Sequence, residues 1–196
     1  MTSRAFRFGV VGSPDRSAEE WQQTVRRAAD LGYKSVLMPD GLQLLSPFPT
    51  LAVAAMTADI RVGTFVAAAP LRTPRSAAWD AHTLSVLTGG RFDFGIGTGR
   101  PQVEQQATEL GMPFGSAKER RDQVRETLDQ LEKLDDDQHT PIMLAAGGPR
   151  MLALAAARAD IVSLATPATA PREGSAGLLR SCASWPAREQ TTSSWR

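Results

Sequence analysis

A run of five residues, Phe92 to Ile96, sits between two glycine clusters, Gly89-Gly90 before it and Gly97-Thr98-Gly99 after it. No other feature limits the possible folds as strongly. A glycine pair can end a helix in the left-handed conformation that side chains with a Cβ resist. Glycines at the carboxyl end of a strand let backbone approach a bulky ligand, and in α/β proteins that end is where ligands bind. Residues 89–101 therefore predict a helix stop, a buried strand and a glycine turn that faces a ligand.

The same alternation runs along the chain. Residues 6–11 form a short apolar run, ended by Gly12, Ser13 and Pro14. Residues 17–31 read as a helix. Ser17 is its N-cap, Glu20 takes the capping-box position, and Trp21, Val25, Ala28, Ala29 and Leu31 supply its apolar face. Further strands are expected at 33–38, 60–69, 92–96, 142–146 and 161–165, and further helices at 49–57, 76–87, 116–134 and 149–159. Strands alternating with helices imply parallel pairing through right-handed crossovers. Continuous apolar strands such as 142–146 suit a sheet covered on both faces. A doubly wound sheet and a (β/α)8 barrel both satisfy this spacing.

Charge and cysteine content narrow the function classes. The 196 residues carry a net charge of +1, so nothing electrostatic points to nucleic acid or an anionic membrane. Cys182 is the single cysteine, which excludes an intramolecular disulfide and a multi-cysteine metal site. No apolar run approaches ~20 residues, the length of a membrane span. No signal peptide is read at the start, and a cytoplasmic protein is the default expectation. No His, Asp and Glu residues show metal-ligand spacing, so no metal is expected. His82 reads as a helix-face histidine and His139 as a solvated one.

Six pieces of the chain, in order, carry a resemblance. They are Phe8-Gly9-Val10; Ala28-Ala29-Asp30-Leu31-Gly32-Tyr33 with Pro39-Asp40; Arg61-Val62-Gly63-Thr64 with Pro70-Leu71-Arg72-Thr73-Pro74; Leu87-Thr88-Gly89-Gly90-Arg91-Phe92 leading to Gly95-Ile96-Gly97-Thr98-Gly99; Ala146-Gly147-Gly148-Pro149-Arg150; and Ala159-Asp160-Ile161-Val162. Over roughly residues 5–165 the chain resembles the bacterial luciferase-like monooxygenase superfamily, above all its coenzyme F420-dependent oxidoreductases. The resemblance implies a (β/α)8 TIM barrel with cofactor at the carboxyl ends of the strands. It implies coenzyme F420, with FMN as the alternative, and a small-molecule organic substrate.

The chain departs from that pattern in strand number. It offers about six strands, so an incomplete TIM barrel with open edges is expected. It reads as a truncated or degenerate member, or as one that needs a partner to cover the gap, a homodimer being one such arrangement. The barrel domain is expected over 1–165. Residues 166–196, rich in Pro, Ser, Thr and Arg, read as a disordered or irregular tail, either an ordinary flexible one or a foreign, frameshifted end.

The resemblance also names cofactor-binding residues. Gly147, Gly148, Pro149 and Arg150 correspond to a loop that holds the cofactor phosphate, where free N–H groups at a helix start favour an anion. Gly97, Thr98 and Gly99 are placed against the ring or its ribityl chain. Thr64, Phe65, Val66 and Ala67 correspond to a bulged strand, often with a non-proline cis peptide, that supports the ring's back face. Asp40 either bonds to the ring or caps a turn. Two positions differ from relatives. Gly41 stands where many carry a histidine, and Arg100 follows where some carry a catalytic glutamate. Arginine is no general acid near neutral pH. No catalytic residue is assigned.

Overall fold

A computed structural model describes residues 6–14 and 17–165; the tail discussed above lies outside the described residues. The strands are β1 (Gly9–Val11), β2 (Ser35–Met38), β3 (Arg61–Thr64), β4 (Ala67–Ala68), β5 (Phe92–Gly97), β6 (Ile142–Ala146) and β7 (Ile161–Leu164). The helices are α1 (Ala18–Asp30), α2 (Pro47–Thr57), α3 (Pro74–Leu87), α4 (Val103–Glu109), α5 (Ala117–Asp135) and α6 (Pro149–Arg158).

Every strand pair is parallel, and the order across the sheet is β1-β2-β3-β5-β6-β7, with β4 also on β5. Strand order follows chain order without reversal. A doubly wound sheet reverses at a switch point, so that alternative is excluded. The sheet is an open, curled half-barrel, an incomplete TIM-barrel arrangement of six strand positions. No helix among the described residues is long and apolar enough to cross a membrane.

The third strand is the main departure from simple alternation. Residues 60–69, expected as one strand, split into β3 and β4. Gly63 lies opposite Asp93 and Ala67 opposite Ile96. Four steps along the third strand thus match three along β5, so one residue is extra: a β-bulge. The Phe65–Val66 peptide inside it is cis, as the resemblance implies. A 3-10 turn, Ala69–Leu71, follows directly.

The main core lies between the sheet and the helices. Phe92, Phe94 and Ile96 on β5 are fully buried there. The rings of Phe48, Phe92 and Phe94 stand 6.2–6.3 Å apart in tilted contact, a favourable aromatic arrangement. Trp21 is buried, and its indole N–H donates to the Thr50 carbonyl at 3.0 Å, tying α1 to α2. A smaller core forms above the sheet from Ala68, Leu71, Val103 and Ala107, with Met112 and Phe114 against it.

Caps define the helix ends. Ser17 accepts from the Glu20 N–H, and Thr73 accepts from the Ser76 N–H. Ser116 and Glu119 form a complete capping box at the start of α5. Proline opens α2 and α3, two residues before the expected starts, because proline suits the first turn of a helix. Leu31 does not belong to the apolar face of α1. It stands past the last helical residue, 67% exposed. Helix α4 was not expected from the sequence. Its seven residues are mostly polar, and a helix that short shows no clear period.

Candidate functional site: the carboxyl rim of the half-barrel

Because every pairing is parallel, all strands end at one edge of the sheet. Backbone bonds hold the ends in step. The Gly12 N–H donates to the Leu37 carbonyl at 2.8 Å, the Phe65 N–H to the Met38 carbonyl at 2.7 Å, and the Ala165 N–H to the Ala146 carbonyl at 3.0 Å. Asp40, the residues from Thr64 to Ala67, those from Gly97 to Gly99 and those from Gly147 to Arg150 therefore share one rim.

The bulge explains the β5 glycines. A Cβ at position 95 would stand only 1.9 Å from the Thr64 carbonyl oxygen and 3.1 Å from Val66 Cγ1. A Cβ at position 97 would stand 3.2 Å from Val66 Cγ2 and 3.3 Å from Ala145 Cβ. Val66 thus lies over the concave side of β5 in the space that two missing side chains leave. Gly99 adopts φ +77° beside Pro70 and Val103. Gly97 and Gly99, expected to leave room for a ligand, also lie close to internal neighbours: Val66 and Ala145 for the first, Pro70 and Val103 for the second. Thr98 is half-buried at the turn, and Phe65 remains 39% exposed at the rim.

Asp40 is the rim's organiser. Its carboxylate is 3% exposed and accepts both guanidinium nitrogens of Arg72, together with the Ala68 N–H at 3.0 Å. Of the two roles left open for Asp40, the contacts favour the structural one. The Arg72 guanidinium also stacks 5.1 Å from the centroid of the Phe48 ring. Gln123 on α5 donates to the carbonyls of Ala69 and Arg72 at 2.8 and 2.9 Å. Gln106 on α4 accepts from the Leu42 N–H at 3.0 Å. Arg72, Gln106 and Gln123 thus join Asp40 in fixing β4 and the loop after β2. Pairings across 32 or more positions leave no local trace in a sequence, and only Arg72 lay within a quoted motif.

The start of α6 is built differently from those of α3 and α5, whose N-cap side chains accept a backbone N–H. Gly148 is the N-cap, and no side chain caps the helix. Among the described residues a Cβ at position 148 would meet nothing within 4 Å, and its backbone needs no glycine (φ −122°). The first-turn N–H groups of any helix lack intrahelical partners. Such N–H groups at a helix start suit a phosphate group. Arg150 follows in the first turn of α6, and its exposed side chain lines a groove toward α5.

Acid–base groups are scarce at this rim. Among the described residues at the strand ends named here, Asp40 is the one carboxylate, and Arg72 neutralises it. His82 is remote. It pairs with Asp135 at 2.9 Å, and Asp135 in turn accepts from the Thr140 N–H and hydroxyl. His139, expected to be solvated, is exposed but pairs with Asp160 at 3.1 Å. Among the described residues no His, Cys, Asp or Glu cluster could hold a metal ion.

A family model described as luciferase-like monooxygenase matches residues 4–139. The chain belongs to the luciferase-like monooxygenase family. Solved structures similar to this luciferase-like chain include a coenzyme F420-dependent tetrahydromethanopterin reductase from Methanopyrus kandleri. It is 22% identical with a TM-score of 0.66, over 80% of this chain and 55% of that one. Monooxygenase RslO1 from Streptomyces bottropensis is 21% identical, TM-score 0.75, over 90% and 64%. The oxygenating constituent of 3,6-diketocamphane monooxygenase from Pseudomonas putida, solved with FMN, is 20% identical, TM-score 0.64, over 79% and 56%. At such identities the likeness is one of fold. This luciferase-like chain spans between 55% and 64% of the length of these three structures.

Proposed function

We propose that the rim binds a flavin-type cofactor, coenzyme F420 or FMN, and that the chain serves oxidation or reduction of a small organic substrate. One observation carries this reading: the start of α6 at Gly148, without a side-chain cap and with no described residue within 4 Å of where a Cβ would stand, on the same rim as the bulged third strand. In the reading, the backbone of Gly147, Gly148 and Arg150 holds the cofactor phosphate; Pro149 has no N–H to give. Phe65, Val66 and Ala67 form an apolar wall for the ring, and Thr98 offers a hydroxyl. Asp40 acts indirectly, through Arg72 and the Ala68 N–H, by keeping that wall in place.

When bound, F420 supplies hydride transfer at the ring's C5 position, and FMN supplies hydride transfer or oxygen activation. The chain's own residues hold, orient and exclude water. Half-exposed Leu42 and Leu45, in the loop after β2, join Phe65 in favouring an apolar substrate body. Relatives solved as F420-dependent or with FMN support both cofactors equally.

A second reading has its own support: cofactor binding without turnover. Gly41 and Arg100 replace groups that relatives use, and Asp40 is bound up with Arg72. Titrating the purified chain with FMN and with F420, by cofactor fluorescence, tests both readings. Saturable binding of either cofactor is expected. Reduction or oxidation of the bound cofactor by substrate would favour the enzyme over the passive binder, and absence of binding to both would overturn both.

A further inference from the structure

The contact between α5 and α6 changes character along its length. At one end, Arg158 of α6 meets carboxylates of α5: Asp129 at 2.7 Å and Glu132 at 3.2 Å. At the other end, Arg150 of α6 meets cations. Lys118, Arg121 and Arg125 of α5 line one groove with Arg150, and Ala153 adds a small apolar wall. One carboxylate, Asp122, sits among them. It bonds to Lys118 at 2.7 Å and to Arg125 at 2.6 Å, and these two bonds hold its carboxyl below the usual aspartate range. Among the described residues, Arg121 and Arg150 have no hydrogen-bond or ion-pair partner.

Three physical terms oppose this arrangement in the absence of a ligand. Arg121 lies three residues after Lys118 and four before Arg125, so like charges are neighbours on the helix surface. Lys118 and Arg150 occupy the first turns of their helices, where the dipole disfavours cations. Arg121 is partly buried and has no counter-ion to offset its desolvation. Each term is small, but all have the same sign, and an anion in the groove would reverse them together. Two helices in contact run 8–10 Å apart, so guanidinium groups from both can reach one compact ligand from opposite sides.

We propose that the groove between the amino-terminal turns of α5 and α6 binds a small oligoanion, a di- or triphosphate group or an oligocarboxylate, between Arg121 and Arg150. Lys118 and Arg125 strengthen the field while Asp122 holds them in place. The site lies on the helical layer; it uses the Arg150 side chain, whereas the flavin reading of the rim uses that residue's backbone. Arg121 is outside the loop assigned to the cofactor phosphate, so its substitution separates the two sites.

The test is calorimetric titration of the full chain with sodium tripolyphosphate and, separately, with citrate, at ionic strength matched with sodium chloride. One-to-one binding of at least one of them is expected, and comparing them identifies phosphate or carboxylate as the preferred source. Arg121→Glu and Arg150→Glu should each weaken binding about tenfold or more, while Arg26→Glu on α1 leaves it unchanged. Thermal melting supplies a readout independent of affinity. The anion should raise the melting temperature of the parent but not of the Arg121→Glu variant, and that variant alone should melt no lower than the parent. No saturable binding of either anion, or binding that survives both glutamate substitutions, would overturn the proposal.

Discussion

The Thr64 hydroxyl donates to the Gly95 carbonyl at 2.6 Å, and the Thr64 carbonyl oxygen stands 1.9 Å from where a Cβ at position 95 would be. The third strand therefore leans across its neighbour at the point where it gains its extra residue. A methyl group at position 95 has no flexible side chain to displace; it meets backbone. Gly95→Ala should destabilise the fold by about 2–4 kcal/mol, since overpacking a rigid site is costly. In a chain of this size that lowers the melting temperature by roughly 5–10 °C. Circular dichroism melting checks it; an unchanged midpoint would mean that the bulge can relax.

The Asp40–Arg72 pair should behave as a buried pair broken from one side. Asp40→Ala leaves Arg72, 17% exposed, without its counter-ion and the Ala68 N–H without its acceptor. Loss of a partner in such a pair costs about 3 kcal/mol. Arg72→Lys should rescue little, because lysine cannot present two parallel N–H donors to the carboxylate. Urea unfolding of Asp40→Ala, Arg72→Lys and the parent orders the three. If Arg72→Lys matched the parent, one charge without forked geometry would suffice.

Much of the architecture was legible because strands and helices here follow local rules. Residues 142–146 are uniformly apolar and form β6 with those bounds. Residues 89–96 read correctly, since Gly89 and Gly90 adopt the positive φ that ends a helix and the strand begins at Phe92. The third strand was harder. Its apolar composition is the same whether the strand is straight or bulged, and only the register against β5 reveals the added residue. For the same reason Gly97 reads in the sequence as facing a ligand, whereas the bulge sets Val66 Cγ2 3.2 Å from where a Cβ at position 97 would stand. Arg72, Gln106 and Gln123 act through contacts far apart along the chain, and no spacing rule announces them.

Asp80 on α3 gives a pH signature. Burial raises its carboxyl above the ordinary 3.8, and the field of Arg72 offsets this only in part. A raised acid disfavours its charged form in the fold. The penalty is absent at pH values below the unfolded-state pKa and present in full above the folded one. Asp80→Asn should therefore bring a small rise in melting temperature at pH 7, and the rise should vanish as the pH falls through the carboxylate range. Parallel melting curves from pH 3 to pH 7 check the sign. A loss of stability at pH 7 would show that the charge of Asp80 is needed beside Arg72.

Two glycines of the rim separate packing from binding. A methyl group at position 97 would press on Val66 and Ala145, whereas one at position 148 would meet none of the described residues within 4 Å. Gly148 also has an ordinary backbone conformation, so alanine is sterically free there. If α6 receives the cofactor phosphate, a methyl group at its N-cap intrudes on the anion and not on the protein. Gly148→Ala should keep the parent's melting temperature within about 2 °C and yet weaken cofactor binding about tenfold or more. Gly97→Ala should lower the melting temperature as well as the affinity. Fluorescence titration beside a melting curve on each variant reads both quantities. Full cofactor affinity in Gly148→Ala would move the phosphate away from α6.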